Sequence, residues 1–144
     1  MIDYGRPWDI NTPGTPPHLS REDYPLYERY LPLVRAAMRR TWFDVALGPE
    51  QPTTPDTPPP IHAMWTRLNR KRLDVLWDSE THWHIVELRD QAQPNAIGRL
   101  LTYRALWYAD PPDSRPVILE LITNRDDAAV RLTCRQLSII YYVV

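Results

Sequence analysis

Twelve of the 16 prolines in this chain of 144 residues fall within its first 60 positions. Proline has no amide hydrogen and a fixed φ, so it breaks helix interiors and central strands. The chain is therefore expected to have two regimes. Residues 1–22, with Pro7, Pro13, Pro16 and Pro17, read as an extended arm. Residues 49–60 (PEQPTTPDTPPP) contain six prolines and no aliphatic side chain, which describes a stiff connector. Between them, residues 23–48 show an apolar stripe: Tyr27, Leu31, Val34, Met38, Trp42 and Val45 are spaced by three or four positions. That spacing predicts one amphipathic helix, capped by Ser20, kinked or restarted at Pro32 and ended at Gly48. Arg35 and Arg39 lie off the stripe and are read as solvated. The arm carries Tyr4 and Trp8, aromatic residues that are costly to leave in water, and the expectation is that they anchor on a neighbouring subunit.

From residue 61 the pattern is that of a folded body. Ile61–Arg67 reads as a short strand, Arg72–Trp77 as a second and His82–Leu88 as a third, with a tight turn at Asp78–Thr81. Pro94 starts a helix running to about Tyr108. Pro116–Thr123 is a buried strand, Asn124 caps a helix to about Gln136, and Ser138–Val144 is a last strand. The expected order is α-β-β-β-α-β-α-β. The first three strands form an antiparallel meander, and the later ones pair in parallel through crossover helices. The fold class is α/β, a mixed β-sheet flanked by helices.

Composition removes several functions. The formal net charge is −1, so no global basic field draws the chain to nucleic acid. The single cysteine, Cys134, cannot form an intramolecular disulfide, and its apolar helical context reads as burial. Glycine-rich phosphate loops are excluded by only four glycines. The longest apolar run, Leu137–Val144, falls far short of the ~20 residues of a membrane helix. The opening Met-Ile-Asp-Tyr-Gly-Arg lacks the basic start and apolar run of a secretion leader. A cytoplasmic protein is expected, or one packed into a virion assembled in the bacterial cytoplasm. His82 and His84 share a strand face, but a zinc site needs a third ligand, so they read as surface or satisfied side chains. Arg67, Arg70, Lys71 and Arg72 cluster at a turn and form the best local candidate for touching a phosphate backbone.

The element order, with Asp74 on one strand and Glu87-Leu88-Arg89 on the next, resembles the PD-(D/E)XK nuclease-like family. The resemblance covers about residues 61–144, with the helix near 23–45 as the family's first helix. It implies a restriction-endonuclease-like core in which Asp74 and Glu87 would hold Mg²⁺. Residues two apart on a strand share a face, so Glu87 and Arg89 point the same way. The helix from Pro94 is similar to a family helix that often carries a glutamine four residues before a tyrosine. Here the pair is Arg99 and Tyr103.

The main departure is Arg89, where the family has lysine. The chain has 16 arginines and one lysine, Lys71. Arginine stays protonated and its planar fork clamps carboxylates, so Arg89 is expected to neutralise the acids. Arg104, on an apolar stripe with Ile97, Leu100, Leu101 and Tyr108, is expected to pair with Glu87 or Glu120. The leading expectation is a non-catalytic nuclease-like module that serves as a structural or assembly protein of a DNA-handling particle, such as a bacteriophage virion neck or tail. It would need no cofactor and would meet other protein subunits through the arm in an oligomeric assembly. The alternative is a Mg²⁺-dependent DNA nuclease using Asp74, Glu87 and Arg89, with Tyr103 and the basic turn holding the strand. A third reading is a DNA- or protein-binding adaptor.

Overall fold

The computed structural model describes residues 4–49 and 54–144, without the side chains of residues 65–69. Nine elements follow in order: α1 (Tyr24–Val34), β1 (Arg40–Leu47), α2 (Pro59–Asn69), β2 (Lys71–Asp78), β3 (Trp83–Gln91), α3 (Pro94–Ala109), β4 (Val117–Arg125), α4 (Ala128–Gln136) and β5 (Ile140–Val143). They build one five-stranded sheet in the order β1-β2-β3-β4-β5. The β1–β2 and β2–β3 pairs are antiparallel, and the β3–β4 and β4–β5 pairs are parallel. The sheet is mixed and helix-flanked, as the strand and helix patterns predict, with parallel pairs wherever a crossover helix intervenes.

Two expectations fail in the proline-rich half. The helix over 23–48 stops at Val34, because Pro32 lies inside its last turn and denies it a donor. The rest of that segment becomes β1. Thr41, Trp42, Phe43 and Val45 are β-branched or aromatic and fit a pleated strand. The strand expected at Ile61–Arg67 is the helix α2. Pro59 and Pro60 pre-set φ for a first turn, and the amide of His62 closes it on the carbonyl of Pro58 at 2.9 Å. The first antiparallel strand is therefore β1, joined to β2 through the connector and α2. Smaller shifts occur at ends. Asp127 rather than Asn124 caps α4, its side chain accepting from the amide of Val130, and β5 begins at Ile140.

The sheet buries both faces. On one, Trp42, Leu76, Ile85 and Leu121 pack under Leu100, Tyr103 and Trp107 of α3. On the other, Val75, Trp77, Val86 and Ile122 pack under Leu26, Tyr30 and Val34 of α1. The arm lies along its own chain. The amide of Trp8 bonds the carbonyl of Thr41 at 2.8 Å. The Tyr4 ring sits 5.6, 5.8 and 6.1 Å from the rings of Trp42, Trp83 and Trp107. Tyr4, expected to anchor on a neighbour, is thus spent inside its own core. Cys134 is buried, as its apolar setting predicts. No helix among the described residues is long and apolar enough to cross a membrane.

Candidate active site

The site forms where β2 and β3 part. Their register runs from Asp78 opposite Trp83 to Val75 opposite Val86. The next position brings Asp74 beside Glu87. There the ladder gives way to a side chain: the amide of Leu88 donates to Asp74 Oδ2 at 2.9 Å. A carboxylate that replaces a ladder carbonyl keeps a backbone donor satisfied and fixes Asp74 against Glu87. The opposite neighbour of Asp74 is also irregular. Asp44 on β1 has φ of 54°, a left-handed conformation that costs a non-glycine residue energy. Arg72 holds it there through both carboxylate oxygens, at 2.7 and 2.9 Å, and through its carbonyl at 2.8 Å.

Glu87 is completely buried. Its Oε1 accepts from Arg99 Nε at 2.7 Å and also from Arg89 Nη2. Arg99 is fixed from three sides: by Glu87, by the carbonyl of Arg72 at 3.3 Å, and by the Tyr103 ring 5.5 Å beneath its guanidinium. The Tyr103 hydroxyl donates to the same Arg72 carbonyl at 2.7 Å. Glu87 Oε2 is buried with no hydrogen-bond partner among the described residues.

The electrostatics follow from crowding. Burial raises Glu87, the charge of Asp74 raises it further, and the two guanidiniums only partly offset this. Burial likewise raises Asp74, helped by the charge of Asp23, while the Leu88 amide, Arg89 and Arg99 oppose the rise. Both carboxyls therefore lie above their ordinary range. This is a pair of like charges that competes for protons as well as for cations.

A hard divalent cation wants six or more oxygen ligands, several of them anionic. Asp74 and Glu87 offer two carboxylates, but one Glu87 oxygen already holds two guanidiniums. No group of three or more His, Cys, Asp or Glu side chains that could hold a metal ion exists among the described residues. The donor set as folded does not fit Mg²⁺.

Asp74, Glu87, Arg89 and Tyr103, singled out from the sequence, do converge here. Arg99 was seen only as a departure from a glutamine. Its position one helical turn before Tyr103 was the available signal for its role. Arg104 does not pair as expected. Glu87 is taken by Arg89 and Arg99, and Glu120 by the Tyr30 hydroxyl at 2.8 Å and His84 Nδ1 at 3.1 Å. The buried stripe of α3 is Ala96, Ile97, Leu100, Tyr103 and Trp107, with Tyr108 exposed, so Arg104 lies beside the buried face rather than in it. His84 stacks on Trp77, with ring centroids 3.5 Å apart. His82 Nδ1 pairs with the Thr81 hydroxyl at 2.8 Å. Both histidines thus have partners, without a metal.

The basic turn is largely engaged. Arg72 grips Asp44, and Arg70 donates to the carbonyl of Gly48 at 2.7 Å. Lys71 is exposed, and the Arg67 side chain lies outside the described residues.

No family model matches the chain, and no curated protein matches it. Among solved structures, the chain is similar to a repair endonuclease from Pyrococcus abyssi. The TM-score is 0.50 and the sequence identity 10%, over 91% of this chain and 49% of that one. The chain thus spans about half the length of that structure. The likeness is one of fold: a five-stranded mixed α/β sheet flanked by helices, of the restriction-endonuclease-like kind.

Proposed function

We propose that this chain is a non-catalytic nuclease-fold module. One observation carries this reading: both Arg89 and Arg99 close on the same oxygen of the buried Glu87. A carboxylate held by two permanent cations is a poor metal ligand, and nuclease chemistry of this kind needs the metal to stabilise developing charge. A shared fold does not carry a shared activity. The setting we favour is a structural or assembly role in a DNA-handling particle such as a bacteriophage neck or tail. Its partners there would be other protein subunits. Tyr4 faces its own core, so the arm's contact would centre on Trp8. Trp8 lines a cleft of about 460 Å³ with Ile10, Pro13, Tyr24, Tyr27 and Leu31. A partner's apolar side chain would suit that cleft.

A second reading is a Mg²⁺-dependent DNA nuclease. It is favoured by the unpartnered Oε2 of Glu87 beside Asp74. Incubation of the purified chain with linear and supercoiled DNA in Mg²⁺ or Mn²⁺ separates the two. The expected result is uncut DNA. Cutting that disappears in Glu87→Ala would overturn the proposal in favour of the second reading.

A further inference from the structure

We infer that Arg99, rather than Arg89, is the internal cation that closes this site to divalent metal, and that its removal alone uncovers a cation-binding pair at Asp74 and Glu87. The inference rests on the non-catalytic reading and sharpens it from a missing lysine to a specific obstructing side chain.

Charge and anchoring both point to Arg99. Asp74 and Glu87 carry two negative charges when ionised, and Arg89 and Arg99 supply two positive ones. The arginine pair thus provides the charge that a divalent ion would bring, and an incoming cation meets like charge instead of open carboxylate. The two arginines are not held equally. Arg89 sits on β3 itself, two residues from Glu87. Its other bond is a long one to the carbonyl of Leu88 at 3.4 Å. Arg99 comes from α3 and is held by Glu87, the Arg72 carbonyl and the Tyr103 ring together. Arg72 and Tyr103 are themselves fixed, through Asp44 and through the bond of Tyr103 to Arg72. Moving the Arg99 guanidinium breaks three contacts made to a rigid frame. Moving that of Arg89 breaks one ion pair and one weak bond. A cation anchored at fewer points yields to a metal more readily than a pre-organised one.

The pattern of variants is therefore specific. Arg89→Lys, which restores the lysine of the resembled motif, is expected to leave the site closed. Arg99→Gln and Arg99→Met are expected to open it. The glutamine keeps a polar head for the Arg72 carbonyl, and the methionine keeps the packing on Tyr103.

The experiment is thermal unfolding of the native chain and these variants, with and without about 10 mM Mg²⁺ or Mn²⁺, paired with calorimetric titration of the same ions. A ligand that binds only the folded state raises its midpoint. The expected result is no ion-linked shift for the native chain or Arg89→Lys. A rise of roughly 3 °C is expected for both Arg99 variants, and it should vanish when Glu87→Gln is added. Two folded Arg99 variants that show neither a shift nor heat of binding would overturn the inference. So would an ion-linked shift in Arg89→Lys equal to theirs. Should both Arg99 variants fail to fold, the inference would fall too, since Arg99 would then be structural. Uncut DNA alongside any of these failures leaves the non-catalytic reading standing. DNA cut by the native chain removes that reading whatever Arg99 does.

Discussion

Two buried carboxylates in this protein are each clasped by two arginines, and they behave in opposite ways. Asp78, at the end of β2, is completely buried and accepts from Arg40 Nη2 at 2.5 Å and Arg115 Nη1 at 3.0 Å. Burial raises its pKa, but the two guanidiniums outweigh burial and hold the carboxyl below its ordinary range. Glu87, equally buried and equally clasped, sits above its ordinary range. The difference is where the second acid sits. Asp78 shares only Arg115, with the exposed Asp113 that takes Arg115 Nη2 at 2.8 Å, and both arginines also lie over the Trp83 ring at 5.7 and 4.7 Å. Glu87 shares its arginines with Asp74, which the parting of β2 and β3 places beside it. Asp78, Asp113, Arg40 and Arg115 form an ion quartet whose charges balance. The Glu87 site holds two buried acids side by side, and its two arginines do not relieve that like-charge crowding.

The largest effect expected from this contrast comes from removing the centre of the balanced quartet. Asp78→Ala leaves Arg40 over the tryptophans without its carboxylate and Arg115 with Asp113 alone, and takes an acceptor from the backbone amide of Arg40. A loss of about 3 kcal/mol is expected, read as a lower urea midpoint at unchanged slope. Glu87→Gln removes a crowded charge and keeps the shape, so it should change stability by no more than about 1 kcal/mol. A loss from Glu87→Gln as large as that from Asp78→Ala would erase the distinction.

The pH dependence separates the two sites by sign. Glu87 is pushed up to about 7 from an ordinary 4.5, and Asp74 up to about 6 from 3.8. Between those ordinary values and the raised ones, the folded chain holds protons that the unfolded chain has released. The pair's contribution is therefore full below pH 4 or so and declines as pH rises toward 7. Asp78 works the other way: its contribution is present above 3.8 and is lost as pH falls below that. Urea midpoints measured across this range should fall with rising pH in the native chain, and in Glu87→Gln keep only the part of the fall that Asp74 contributes, below about pH 6. A slope that survives unchanged up to pH 7 would show that Glu87 is not its source.

Much of this fold was legible because its signals are local. β3 and β4 are short apolar runs bounded by turns and a proline, and α3 starts at Pro94. The pairing of Asp74 with Glu87 and Arg89 follows from the two-residue period of a strand and from adjacency in sequence. The failures are equally physical. Trp42 and Val45 fall on a helical spacing by coincidence, and only their β-branched and aromatic neighbours, after Pro32, mark β1. Arg99 was out of reach because its partner depends on how α3 docks on the sheet, a contact that no local period encodes. Arg104 finds no sheet acid because it lies one position around the wheel from the face of α3 that Tyr103 and Trp107 bury.

The central claim is that Glu87 and Asp74 are closed to divalent metal in the native chain. The most direct measurement is paramagnetic broadening by Mn²⁺ of the backbone amide resonances. The amide of Leu88, held on Asp74, serves as the reporter. The account predicts that substoichiometric Mn²⁺ leaves Leu88 no broader than amides elsewhere in the sheet. Selective loss of the Leu88 resonance at those additions would contradict it.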